Sequence, residues 1–154
     1  LNIKLLIEMK THGFETDDFL ERFVALLDKY DALDLHYVQS PDIPVMDLLE
    51  EMEPRIHTGY IYSIAYGKLP VNESDFISVE QSFGTGNIQK QVQEQDKELF
   101  VWTINDKSDM QQFYEQNVDG IITDQPDEAL SIRQEFNEEK HFIRRILNKI
   151  TIIY

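Results

Sequence analysis

Apolar positions recur along the chain in two alternating rhythms. The opening stretch, LNIKLLIEMK, runs with a period of two. Ile3, Leu5, Ile7 and Met9 fall on one side of an extended strand, and Lys4, Leu6, Glu8 and Lys10 fall on the other. Two late charges, Glu8 and Lys10, thus lie opposite an apolar row and close to the strand's C-terminal end. A strand covered on one face and carrying converging charges on the other suggests a site. GFETDDFLERFVALLDKY then shifts to the helical period: Phe19, Leu20, Phe23, Leu26, Leu27 and Tyr30 form a stripe, acids precede it, and Thr16 is the expected N-cap.

The same alternation continues. LDLHYVQS reads as a strand and PDIPVMDLLEEMEP as a helix bracketed by prolines. HTGYIYSIAYG, rich in aromatic and β-branched residues, and DFISVEQS read as strands, followed by a helix over Asn87 to Gln95. ELFVWTIND is a further strand, and Asn105, Asp106 and Ser108 at its exit are expected caps of the next helix. GIITD is a short strand, Asp124 is the expected cap ahead of Pro126, and PDEAL starts a last helix. Strand and helix alternate about six times in this reading, which predicts a parallel sheet with helical crossovers. Six such units do not complete an eight-unit barrel, whereas an open doubly wound sheet could be complete with six. Periodicity alone leaves that choice open.

Composition narrows the function classes. The 154 residues are 42% hydrophobic, enough for one domain with a real core. No apolar run approaches bilayer length, and the opening stretch lacks a signal-peptide pattern. The chain opens on Leu1, which leaves room for sequence before it. With no cysteine, disulfides and thiolate metal ligands are excluded. A net charge of −15 argues against a nucleic-acid surface, because it repels phosphate backbones. GTGNIQ is glycine-rich but lacks the spacing of a nucleotide-binding loop.

Three segments, LNIKLLIEMK, DFISVEQS and ELFVWTINDKSDMQQFYEQNVDGIITDQPDEAL, resemble in order the glycerophosphodiester phosphodiesterase family. Its sequences carry an IEIK-like strand, a VWTVN-like strand and a GVDGIITD.P ending, and YVQSPD is similar to the family's SF strand. The resemblance covers residues 1 to about 130. It implies a (β/α)8 barrel, of which this chain would hold the third to eighth strands as an incomplete TIM barrel. Residues 1–135 would then form the C-terminal part of the barrel and residues 136–154 an amphipathic helical extension. The family's HRG strand, its acidic pair on the second strand and its HD histidine have no counterpart here. No catalytic residue is therefore assigned, and the chain alone is expected to be inactive.

The resemblance also implies roles for three residues. Glu8 would be the family's third ligand to a divalent metal, magnesium or calcium, a hard cation that prefers carboxylate oxygens. Lys10 would meet a phosphate oxygen, and Trp102 would line the pocket for the glycerol moiety. An internal Glu8–Lys10 ion pair and a core-packing tryptophan are the competing readings. His12 lies on the loop after Lys10, while His36, His57 and His141 have no paired spacing that suggests a metal site or triad. Along the tail, Phe142, Ile143, Ile146, Leu147 and Ile150 line one helical face, with Lys140, Arg144, Arg145 and Lys149 elsewhere.

Two functional readings follow. One is the C-terminal part of a metal-dependent enzyme releasing glycerol 3-phosphate from glycerophosphodiesters. The other is a non-catalytic binding or assembly module on the same scaffold. The family includes members with a membrane-spanning N-terminal region, so membrane attachment through preceding sequence is one implication; the compartment is not fixed by these residues. Open strand edges on a partial barrel predict association between copies of the chain.

Overall fold

The computed structural model describes residues 3–13, 15–63, 68–84 and 86–147. Six parallel strands lie in sequence order in one sheet: β1 (Leu6–Glu8), β2 (Tyr37–Ser40), β3 (His57–Tyr62), β4 (Phe76–Glu80), β5 (Glu98–Trp102) and β6 (Gly120–Ile121). The helices are α1 (Phe19–Lys29), α2 (Ile43–Met52), α3 (Asn87–Glu94), α4 (Lys107–Glu115) and α5 (Pro126–Leu147). Each parallel step requires a crossover, and helices supply it everywhere except between β3 and β4. There, residues 68–75 form no helix: Pro70 and the turn-forming run Asn72, Glu73, Ser74, Asp75 break it, and buried Leu69 fills the place in the core that a helix would occupy.

The sheet is curled. Tyr37 of β2 and Phe100 of β5 have ring centroids 5.7 Å apart, although three strand spacings in a flat sheet total about 14 Å. Tyr37 also stacks on His57 of β3 at 5.3 Å and meets Phe76 of β4 edge-on at 5.6 Å, while Phe76 stacks on Phe100 at 4.7 Å. Side chains from four strands therefore converge on a concave face. Gly59 makes room for this cluster, because a Cβ there would lie 2.0 Å from the Phe76 ring.

The opposite, convex face carries the core. Ile77, Val79, Leu99 and Val101 pack against Ile88 and Val92 of α3, Met110 and Phe113 of α4, and Ala129 and Ile132 of α5. A second cluster joins Met9 and Val38 to Leu20 and Leu27 of α1 and to Met46 and Leu49 of α2. The architecture is thus an α/β half-barrel with helices outside, in line with the expected partial TIM barrel.

Local structure departs from the sequence reading at identifiable points. The opening strand is confined to Leu6–Glu8, an edge strand paired only with β2. Ile7 and Met9 pack on the convex side as the alternation predicts, but Ile3 and Leu5 stay 61% and 52% exposed because no helix covers that end. Asp18, not Thr16, is the N-cap of α1, and its carboxylate pairs with Arg22 at 3.2 Å instead of capping a backbone N–H. Thr16 accepts through its carbonyl from the Phe19 N–H and through Oγ1 from Arg22. Within the α1 stripe, Leu26 and Tyr30 face solvent. The α2 and α4 caps fall on Asp42 and Asp106, whose carboxylates accept the N–H groups of Val45 and Ser108. Helix α5 continues through the boundary expected at residue 135. The side chains of His141 and of the tail's apolar and basic rows, through Ile150, lie outside the described residues.

Candidate active site at the C-terminal rim of the sheet

At the C-terminal ends of the strands, the concave face opens into a cavity of about 180 Å³ lined by Glu8, Gln39, Ile61, Trp102, Thr103 and Ile122. Side-chain alternation explains the set. Residues that point to the helices (Ile7, Val38, Val101) are flanked by ones that point inward (Glu8, Gln39, Trp102). Register places Glu8 directly beside Gln39, and the Met9 N–H donates to the Gln39 carbonyl at 2.8 Å, locking that end of β1 to β2. The peptide between Trp102 and Thr103 is cis.

Glu8 and Trp102, from the first and fifth strands, line the same cavity. Lys10 does not. Its ammonium lies 3.6 Å from the Glu8 carboxylate in an exposed ion pair at the rim. The loop beyond is organised by Glu15, which accepts the backbone N–H groups of His12 at 2.6 Å and Gly13 at 2.8 Å. Those bonds, the one from His12 foremost, hold its carboxyl below the usual carboxylate range. Thr11 then donates to Asp42, tying the loop to the start of α2.

Three polar atoms on the concave face are buried without a partner: the Gln39 amide oxygen Oε1, the Ser78 hydroxyl and the Trp102 indole Nε1. Other buried polar side chains are satisfied. The Ser40 hydroxyl accepts the Asp42 N–H and the Thr58 hydroxyl donates to Glu50. An orphaned buried donor or acceptor costs about 1–3 kcal/mol, so such groups accumulate where something other than stability is served. Gln39 and Ser78 were not anticipated from sequence. A polar residue on the inward side of an otherwise apolar strand, in YVQS and in FISVE, was the available signal.

The remaining expected groups are structural. Asn105 does not cap α4. Its amide donates to Asp124 at 2.9 Å and its carbonyl accepts from Thr123 at 3.1 Å and from the Asp124 N–H at 2.9 Å, stitching the β5 exit to the β6 exit. Asp124 is committed to that bond, while the Thr123 hydroxyl accepts the Gln125 N–H ahead of α5. His36 accepts the Leu5 N–H, and His57 sits at the N-terminal end of β3, 3.7 Å from Asp75 and far along the strand from the rim.

Glu8 is the single carboxylate in the cavity lining, and among the described residues no three His, Asp or Glu side chains converge to hold a metal ion. A hard cation takes six or more oxygens, so these residues do not complete a cation site by themselves.

A curled parallel sheet, helices outside and an acid-bearing cavity at the C-terminal ends of the strands define a protein of the α/β-barrel class, with six strands present. Within that class, the chain belongs to the glycerophosphoryl diester phosphodiesterase family, whose model matches residues 3–128. Solved structures share the fold. A phosphodiesterase from Oleispira antarctica in complex with the product sn-glycerol-3-phosphate superposes with a TM-score of 0.73 at 20% identity, over 86% of this chain and 56% of that one. A glycerophosphodiester phosphodiesterase from Parabacteroides distasonis gives 0.70 at 18% identity, over 87% and 58%. A Silicibacter pomeroyi protein provisionally assigned to the same activity gives 0.75 at 17% identity, over 86% and 51%. The chain therefore spans between 51% and 58% of the length of these three relatives. The comparison with curated proteins gave no match. Among the described residues, no helix is long and apolar enough to cross a membrane.

Proposed function

We propose that this chain is the C-terminal part of the catalytic barrel of a metal-dependent glycerophosphodiester phosphodiesterase, which hydrolyses its substrate to glycerol 3-phosphate and an alcohol. The observation that carries the reading is that Glu8 and Trp102, from opposite ends of the sheet, line one cavity at the strands' C-terminal rim. Family membership and a structural neighbour holding sn-glycerol-3-phosphate support it.

Diester hydrolysis needs charge neutralisation on the phosphoryl oxygens, a nucleophile in line, and a proton for the leaving alkoxide. When bound, a divalent cation such as magnesium or calcium supplies that neutralisation. Glu8 contributes one oxygen to its binding, and the other ligands and the acid–base groups come from the barrel units that precede β1. Lys10 brings a positive donor from the rim to a phosphate oxygen and orients Glu8 through their ion pair. Trp102 packs its apolar ring against the carbons of the glycerol moiety, excluding water on that side.

The test compares glycerol 3-phosphate release by the 154-residue chain and by a chain extended upstream through the missing strands. Background-level release from the first and metal-dependent release from the second are expected. In the extended chain, Glu8→Ala should lower turnover by about a hundred-fold or more and Lys10→Ala by less, through weaker phosphate binding. An extended chain that binds phosphodiesters without turnover would replace the enzyme by a binding module on the same scaffold.

A further inference from the structure

The two orphaned atoms in the cavity lining differ in kind. The Trp102 indole N–H is a donor only, and the Gln39 amide oxygen is an acceptor only. An anionic phosphate oxygen satisfies the first and repels the second, while a cation does the reverse. A hydroxyl group serves both, because it accepts and donates at once. Gln39 is 5% exposed, so its oxygen has no access to bulk water that could take the ligand's place. The cavity, about 180 Å³, is smaller than the roughly 300–1,000 Å³ of sites for drug-sized ligands, and suits a ligand portion of a few heavy atoms.

We propose that Gln39 Oε1 and Trp102 Nε1 together read the hydroxyl groups of a short polyol, which makes Gln39 the residue that selects a hydroxylated over a deoxygenated headgroup. The inference rests on the cavity being the diester site of the preceding section and adds the basis of its selectivity. Ile61 and Ile122 supply the apolar walls between the two polar atoms. With those walls, a headgroup lacking its hydroxyls still fits but leaves donor and acceptor unpaired, and such a mismatch is what separates a hydroxyl-reading site from a merely apolar one.

Trp102 is the chain's one tryptophan, so its fluorescence reports this cavity directly. The chain is titrated with sn-glycerol 3-phosphate and with propyl phosphate, which has the same carbons and charge but no hydroxyls. Wild-type protein should bind the glycerol compound about ten-fold or more tightly than the propyl compound. Gln39→Met, of similar length and without the oxygen, should bring the two within about two-fold while leaving propyl phosphate affinity unchanged. Equal affinities in the wild type, no Trp102 response to either compound, or full selectivity retained in Gln39→Met would each overturn the proposal. The wild-type comparison decides the matter even if the variant does not fold. Activity assays on the extended chain separate the two readings. Selectivity without hydrolysis leaves this inference standing and removes the enzyme, and hydrolysis with Gln39→Met still selective does the opposite.

Discussion

The two faces of one sheet follow different rules. On the convex face of β4, Ile77 and Val79 are fully buried against α3 and α4, and the polar groups there, such as Thr58, have partners. On the concave face of the same strand, Phe76 joins an aromatic cluster at the N-terminal half, and Ser78 is buried with its hydroxyl unpaired. Moving up the concave face, the lining changes from rings to Gln39, Glu8 and Trp102. The convex side is packed for stability, whereas the upper concave side retains polar atoms that folding alone does not satisfy. The same backbone supports both because strand side chains alternate, so each strand contributes to the core and to the cavity independently.

Breaking the convex face should have the largest effect. Ile77→Ala leaves a cavity in a fully buried layer, and a loss of about 2–5 kcal/mol in urea-unfolding stability is expected. Overfilling the concave floor should cost less. In Gly59→Ala the new methyl meets the buried Phe76 ring, and a loss of about 1–3 kcal/mol is expected from the same measurement, with near-ultraviolet dichroism reporting the displaced aromatics. Ser78→Ala sharpens the contrast in the other direction. It removes an unpaired hydroxyl, so stability should stay level or rise by up to about 1 kcal/mol; a clear loss would mean that the hydroxyl has a partner after all.

The smallest effect concerns the convex face's own ionisable group. Burial, acting against the hydrogen bond from Thr58, raises the Glu50 carboxyl above its ordinary value of 4.5. A group with a raised folded pKa binds its proton more tightly in the folded state, so its favourable contribution is present below 4.5 and is lost as pH rises through the folded value. Glu50→Gln keeps an acceptor for Thr58 and removes the charge. It should therefore stabilise the protein at neutral pH by less than about 1 kcal/mol, given the partial exposure of the group, and the advantage should vanish in acid. Denaturation midpoints on both sides of the carboxylate range check it.

Most of the fold was legible because its carriers are periodic. The period-two runs at YVQS, FISVE and ELFVW and the prolines around α2 mark their elements directly. What escaped was set by tertiary contact. Thr16 and Asp18 are both good caps in isolation, and Arg22 decides how each is used. Asn105 resembles a cap in sequence, yet the adjacent strand exit offers Thr123 and Asp124 as better partners. At the site, Glu8 and Trp102 were visible through the family resemblance, and the inward alternation of β1 agreed with it. Gln39 was not, since a glutamine in a strand reads as solvent-facing until the curvature that buries it is known.

The most direct measurement is a crystal structure of the protein with sn-glycerol 3-phosphate and magnesium. The account predicts density for the glycerol carbons against Trp102, with a hydroxyl between its indole nitrogen and the Gln39 amide, and the phosphate end toward Glu8 and Lys10. Ligand bound on the convex side or at the N-terminal end near His57 and Asp75, with the rim cavity empty, would contradict it.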